Sequence, residues 1–407
     1  MTATVDWDVV ISGAGPAGVA TAVALTRAAP GLARRVVCLD KARFPRDKPC
    51  GGGLTGHARA ALAALGLEVR VEHVPCCEGR IIYGRHARDV ALERPVDIVR
   101  RRDFDADLVA QARARGVAIV EGEGLAAFAV DEPAAQVRVT TTEGRALTAR
   151  VLVGADGAGS RVRRGLARDG RPPLRLFQAE VPVPAGADLG GRMIYDFSPM
   201  DEGLRGYVWL FPVAGGLVNV GAMHTPMLGG RASRALSGAA IEAVLRRALV
   251  RHGVALPDGA RGWPAWRYRR GGRIAAPHVV CVGDAAGIDA LTGEGIAVGL
   301  EEGPLAARAI IVALASGDFA FQRYARDVRR AVVGRELALD GRLAAMLYTP
   351  RAFALWLSLI MFDERMQQLY AARVSGSEVL ADRKRELLAA LGRHLLCARG
   401  RMRELRA

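Results

Sequence analysis

The chain has 407 residues, 51% of them hydrophobic, which is enough to bury the cores of two or three domains and excludes a disordered chain. No stretch reaches the roughly 18 uncharged apolar residues of a membrane span, and six cysteines with no CxxC pair exclude a disulfide framework and a zinc site. The formal charge is +15, but only Lys41, Lys48 and Lys384 among 57 basic residues are lysine; coding bias explains that arginine dominance, and without a nucleic-acid-binding motif no nucleic-acid partner is expected.

The first element is the apolar run Val9-Val10-Ile11, which breaks into Gly13-Ala14-Gly15-Pro16-Ala17-Gly18 and resumes as an alanine-rich helix to Ala29. A strand, a glycine turn and a helix start in this order suit a dinucleotide pyrophosphate. Gly13 allows the turn, Gly15 lets the backbone approach the phosphates, Gly18 lets helix and strand pack, and the helix N-terminus offers free amides to the anion. A second apolar run, 36–39, ends in Asp40, placed to accept ribose hydroxyls, with Lys41 beside it. A chain that starts directly in such a strand, with no signal peptide, is expected to be cytoplasmic.

Next comes a proline- and glycine-rich loop, 44–54, then a helix over 58–67 and an alternating strand pair over 80–92. The segment 97–116 begins as a strand and becomes a helix with Phe104, Leu108 and Ala112 at steps of four. Short strands fill 117–153, with turns at Asp131-Glu132-Pro133 and Glu143-Gly144, and the last returns to a parallel sheet at Gly154-Ala155-Asp156-Gly157. The alternating, aromatic-dotted stretches 192–197, 206–211 and 216–223 predict an antiparallel sheet, interrupted by a helix over 235–251. The chain re-enters the first domain at 278–284, continues as a helix from Glu294 towards Ala315, where Glu294 could cap it, and ends in a helical tail over 320–407. The apolar patch 352–362 in that tail is too short to span a bilayer; core packing is its simplest use, and with the basic surface it would also allow peripheral membrane contact.

Three separated segments, Gly13 to Gly18, Gly154-Ala155-Asp156-Gly157-Ala158-Gly159-Ser160-Arg161 and Gly283-Asp284-Ala285-Ala286-Gly287, resemble the flavoprotein fold shared by para-hydroxybenzoate hydroxylase, flavin halogenases and geranylgeranyl reductases, over about residues 5–315. The resemblance implies an α/β protein: a discontinuous FAD-binding Rossmann-like domain (1–70, 97–170 and 272–319), a mostly antiparallel β-sheet substrate domain (71–96 and 171–271) and a helical C-terminal region (320–407). FAD, not NAD, is the cofactor it implies. Gly13, Gly15, Ala17, Gly18, Asp40 and Lys41 would surround the dinucleotide, and Arg101, flanked by Arg100 and Arg102, would reach its phosphates or ribose. Asp284 would accept the ribityl hydroxyls. Gly293, Gly295 and Ile296 would aim backbone amides at the flavin pyrimidine edge. Asp156 serves equally as a strand-end turn.

Lys48-Pro49-Cys50-Gly51-Gly52-Gly53-Leu54 looks like the Cys-Gly-Gly segment of geranylgeranyl reductases, and Tyr207-Val208-Trp209-Leu210-Phe211-Pro212, followed by Asn219-Val220-Gly221, looks like their Tyr-x-Trp-x-Phe-Pro motif. The resemblance places Cys50, Gly51 and Gly52 over the flavin, with Cys50 as the catalytic candidate, and makes Tyr207, Trp209 and Phe211 lining residues of an apolar channel; an ordinary buried strand explains the aromatic face as well. It implies an FAD-dependent reductase of carbon–carbon double bonds in a polyprenyl or other apolar lipid substrate. The alternative on the same fold is a flavin monooxygenase or hydroxylase; a halogenase fits less well, because no lysine stands between Lys48 and Lys384. With no second GxGxxG after a strand, the electron donor is NAD(P)H bound transiently or a donor protein such as reduced ferredoxin.

Overall fold

The computed structural model describes residues 5–166, 173–183, 189, 191–226, 236–258, 260–349 and 352–406. Two sheets form among them. The first has a parallel core of β1 (Trp7–Ser12), β2 (Val36–Asp40), β6 (Ala118–Glu121), β9 (Ala146–Gly154) and β16 (Val279–Cys281), with β15 (Ala275–Ala276) antiparallel at one edge, in the order β15-β16-β9-β1-β2-β6. The hairpin β7 (Leu125–Asp131) and β8 (Gln136–Thr141) extends from β9. All five residues of β2 are buried, as a parallel strand covered on both faces requires.

The covering helices are α1 (Pro16–Ala28), α2 (Gly56–Leu65), α3 (Arg101–Ala114), the short α4 (Arg161–Leu166) and α6 (Ile296–Ser316). Small residues set how α1 and α6 meet. A Cβ on Gly299 would lie 2.9 Å from that of Ala17, and one on Gly303 would lie 2.6 Å from that of Ala20. Residue numbers rise together along this seam, so the two helices run in the same sense and open their N-termini on the same side.

The second sheet contains β3 (Gly53–Leu54), β4 (His73–Tyr83), β5 (His86–Val99), β10 (Leu174–Pro182), β11 (Arg192–Asp196), β12 (Val208–Val213), β13 (Leu217–His224) and β14 (Arg261–Ala265), ordered β14-β10-β13-β12-β11-β4-β5-β3. Its pairings are antiparallel except β11 with β4, which is parallel. Gly53 and Leu54 pair with Ile98 and Asp97, so the end of the glycine loop lies in the second sheet although a division at residue 70 places it in the first domain. One face, including Val208, Leu210 and Val220, is covered by α5 (Gly238–Arg251); the expected start of that helix at Ala235 lies outside the described residues. The opposite face carries Tyr207, Trp209 and Phe211, separated from the first set by the two-residue period of a strand.

The C-terminal region is helical: α7 (Tyr324–Arg330), α8 (Val332–Leu347), α9 (Phe353–Phe362), α10 (Glu364–Val374) and α11 (Lys384–Arg406). The apolar patch forms α9, whose Phe353, Leu357, Leu359 and Met361 are buried. Phe353 meets Tyr83 edge to face, and Ser358 bonds the buried His394 of α11, so core packing is the use the fold makes of this patch. No helix among the described residues is long and apolar enough to cross a membrane.

Candidate active site

A cavity of about 610 Å³ lies between the two sheets, within the roughly 300–1,000 Å³ of small-molecule and cofactor clefts. Every residue that the sequence assigns to the cofactor, to the catalytic position or to the channel wall lines it except Gly18. That glycine packs instead: a Cβ there would stand 1.9 Å from the Gly13 carbonyl oxygen. Gly13, at φ 107°, would place a Cβ 2.2 Å from the oxygen of Ala155, so the turn is closed to any side chain. Gly15 differs, with only an Arg46 guanidinium nitrogen, at 3.5 Å, within reach of its Cβ position. The space over Gly15 belongs to the cavity.

Both helix N-termini that open here lack a side-chain cap. Gly15 precedes α1 and Gly295 precedes α6; neither helix has a capping hydrogen bond or an acidic residue in its first turn. Unpaired amides and the positive ends of two helix dipoles face one cavity, an arrangement that suits an anionic dinucleotide at α1 and a polar ring edge at α6. The residues present therefore fit a flavin dinucleotide. Asp40 is buried, and its carboxylate accepts the Ala14 and Ala42 amides, both at 2.9 Å, so it shapes the glycine turn as well as bordering the cavity beside Lys41. Asp284 stands 3.4 Å from Lys48, whose ammonium lies 5.0 Å over the Trp263 ring. Behind Asp284, the buried Glu302 accepts the Gly283 amide at 2.7 Å, and burial pushes its carboxyl up to about 8. Asp156 bonds the Arg161 amide at 2.7 Å and so caps α4 while also lining the cavity.

Of the three adjacent arginines, Arg101 is the one in the cavity wall; Arg100 pairs with Glu180, and Arg102 is exposed. Arg101 makes a two-bonded pair with Asp105 at 2.7 and 2.8 Å and also reaches the Cys50 thiol. Burial opposes its charge, but the Asp105 carboxylate outweighs that and holds the guanidinium protonated.

The Cys-Gly-Gly loop lies against the aromatic face of the second sheet. A Cβ on Gly51 would come 2.9 Å from the Phe211 ring, and Gly52, at φ 78°, would collide with the Val99 carbonyl. Asn219, which the sequence offered only as part of a motif, joins loop to wall: its amide donates to the Cys50 carbonyl at 2.7 Å, and its oxygen accepts the Trp209 indole N–H at 2.9 Å. In the β12–β13 ladder Gly221 is opposite Trp209 and Asn219 is two residues before it, opposite Phe211, so the Asn-x-Gly spacing gives Trp209 both an acceptor for its indole N–H and room for its ring, which a Cβ on Gly221 would meet at 2.2 Å. The Tyr207 hydroxyl is committed to the Thr292 carbonyl, and the Tyr348 hydroxyl holds the Leu291 carbonyl. Both tyrosines thus hold the segment that leads into α6.

Glu294 does not cap α6, which begins at Ile296 after Gly295. Its carboxyl turns away to accept from the Thr55 hydroxyl and stands 4.0 Å from Arg373 of α10; burial raises its pKa. Arg373 also bonds Glu336 at 2.8 Å and Asp340 at 2.5 Å, both on α8. With Tyr370 and Val374, Arg373 brings the helical tail into the cavity wall. A tail arginine among exposed arginines carries no local signal in the sequence. Among the described residues, no group of three or more His, Cys, Asp or Glu side chains is arranged to hold a metal ion.

Residues 6–183 match the FAD binding domain family. A menaquinone reductase of Mycobacterium tuberculosis is 31% identical over 373 residues, covering 84% of this chain and 85% of the relative. Digeranylgeranylglycerophospholipid reductase 2 of Methanopyrus kandleri is 28% identical over 328 residues, 77% of this chain and 79% of the relative. The crystal structure of a geranylgeranyl bacteriochlorophyll reductase-like protein from Thermoplasma acidophilum superposes with a TM-score of 0.71 at 19% identity, covering 98% of this chain and 99% of the other.

Proposed function

The chain belongs to the geranylgeranyl reductase family of FAD-dependent oxidoreductases, within the para-hydroxybenzoate hydroxylase-like flavoproteins, and from that membership we propose that it saturates carbon–carbon double bonds of a polyprenyl lipid. Two of the relatives carry reductase names, one for menaquinone and one for a digeranylgeranylglycerophospholipid, and the second name is the one that points to a geranylgeranyl chain. The observation that carries the reading is the Cys-Gly-Gly loop, pressed onto the Trp209–Phe211 wall and tied to it by Asn219, in the same cavity as two uncapped helix N-termini.

Bound and reduced FAD would supply the hydride. The α1 N-terminus and the open backbone at Gly15 would hold its pyrophosphate, and the amides at Gly295 and Ile296 would face the ring edge where negative charge gathers. An isolated alkene is a poor electrophile, so the protein's task is to hold it close, in register and away from water. Trp209, Phe211, Tyr195, Met193 and Leu176 provide an apolar wall for that purpose. Cys50, which lines the cavity and bonds Arg101, would give a proton to the second alkene carbon or position the double bond.

A lysine at the aromatic strand, on which flavin halogenases of the resembling type rely, has no counterpart here, and Lys48 is engaged by Asp284 and Trp263. Hydroxylation is separated by experiment. The purified protein is loaded with FAD, reduced without oxygen, and mixed with a geranylgeranyl lipid or with air. Alkene-dependent reoxidation, with a product heavier by two hydrogens per bond, is the expected result. Substrate-stimulated oxygen uptake, with a product heavier by one oxygen, would replace the reductase by a hydroxylase.

A further inference from the structure

The terminal helix α11 carries three of the most exposed large apolar side chains of the described residues: Leu388 is 67% exposed, Leu395 53% and Leu396 90%. At about 100° per residue they fall on one face, within an arc of roughly 100°. Lys384, Arg385, Ala389, Gly392 and Arg393 share that exposed side, while Leu387, Ala390, His394 and Leu405 turn inward. The bond from Ser358 to His394 fixes the helix to α9, so the rotation that leaves the leucines outside is set by buried polar and apolar contacts together. Over 384–406 the sequence has seven arginine or lysine residues against two glutamates.

We propose that this face of α11 docks the protein on an anionic lipid surface, with the three leucines entering the acyl boundary and the basic residues meeting the headgroups. Exposed leucines on a cationic helix are the pattern of helices that lie in a bilayer interface. Charge selects lipid over a second copy of this chain, because two such faces brought together would repel across their basic residues. The position also serves access: α11 packs on α9 and α10, and α10 carries Tyr370, Arg373 and Val374 of the cavity wall. A lipid held at this face is one helix layer from the site. Docking does not depend on the reaction proposed above, since it is read on vesicles without substrate.

The FAD-loaded full chain is sedimented with phosphatidylcholine vesicles made with or without phosphatidylglycerol. Binding to the anionic vesicles that weakens with salt is expected. L388S/L395S/L396S should lower the partition coefficient about tenfold or more, and K384E/R385E about fivefold for each charge, with flavin absorbance and helical circular dichroism unchanged. If the parent chain stays in the supernatant with anionic vesicles at low salt, or if both variants bind as it does, the proposal is overturned. A concentration-dependent dimer that the serine variant loses, in a chain that ignores vesicles, would assign the face to a second copy instead.

Discussion

Replacing Asn219 by leucine tests whether the Cys50 loop is held by the aromatic strand. The side chain is 2% exposed and makes two bonds that leucine, branched at the same carbon, cannot make. The Trp209 indole N–H, in a residue 4% exposed, would lose its acceptor inside the sheet face; a buried donor left unpaired costs about 1–3 kcal/mol. The Cys50 carbonyl borders the cavity, where water can replace the lost donor, so its share is the net value of a hydrogen bond, about 0.5–1.5 kcal/mol. Asn219→Leu should therefore destabilise by about 2–4 kcal/mol in urea unfolding. Combining it with Trp209→Phe, which removes the donor, should recover about 1–2 kcal/mol of that loss as a coupling energy. FAD should stay bound while alkene-dependent reoxidation slows, because the loop would lose its register over the ring. A loss under about 0.5 kcal/mol with no coupling to Trp209 would refute the reasoning.

Gly15→Ala should leave urea stability unchanged, since only an Arg46 nitrogen lies near its Cβ, while weakening FAD at least about tenfold in a fluorescence titration; Gly13→Ala, at φ 107° and 2.2 Å from the Ala155 oxygen, should cost about 2 kcal/mol or more of stability itself. Burial with Arg175 and Arg205 nearby holds the His224 imidazole neutral, at about 4 against an ordinary 6.5. The unfolded chain therefore binds the extra proton first, and stability falls as pH drops from 6.5 towards 4, by about 3 kcal/mol in all. His224→Asn, which keeps an acceptor for the Arg205 amide, should flatten that limb; an unchanged acid limb would show that another group controls it. Cys50→Ala should retain FAD and slow single-turnover alkene reduction by about a hundredfold if the thiol supplies the proton, whereas unchanged turnover removes Cys50 from the chemistry.

What could be read from the sequence was local. The glycine spacing of 13–18, the acidic strand end at Asp40, the aromatic alternation of Tyr207, Trp209 and Phe211 and the turn at Glu143-Gly144 each place their constraint within a few residues, and the strands and helices follow them closely. What could not be read are pairings across long stretches of chain. Asn219 meets the Cys50 carbonyl 169 positions away. The parallel register of β11 on β4 has no local mark, because an alternating strand pairs in either sense with the same face inward. Glu294 looked like a helix cap from spacing alone, but Gly295 takes the position before α6, and the carboxyl is drawn to Thr55 and Arg373. Arg373 itself is one arginine among many in the tail; only its burial against Glu336 and Asp340 distinguishes it.

The seam between α1 and α6 shows why the two kinds of information meet at this site. Ala17 and Ala20 on one helix and Gly299 and Gly303 on the other admit a backbone approach that larger side chains would prevent. Because the contacts advance in step, both N-termini emerge together, and neither carries an acidic residue or a side-chain cap that would fill its free amides. A capping residue at either position would satisfy an unpaired amide and stabilise its helix, typically by about 1 kcal/mol. Leaving both unfilled keeps an anion-binding end at each side of the cavity, so the same small residues that pack the first domain also set the distance between the place for a pyrophosphate and the place for a ring edge.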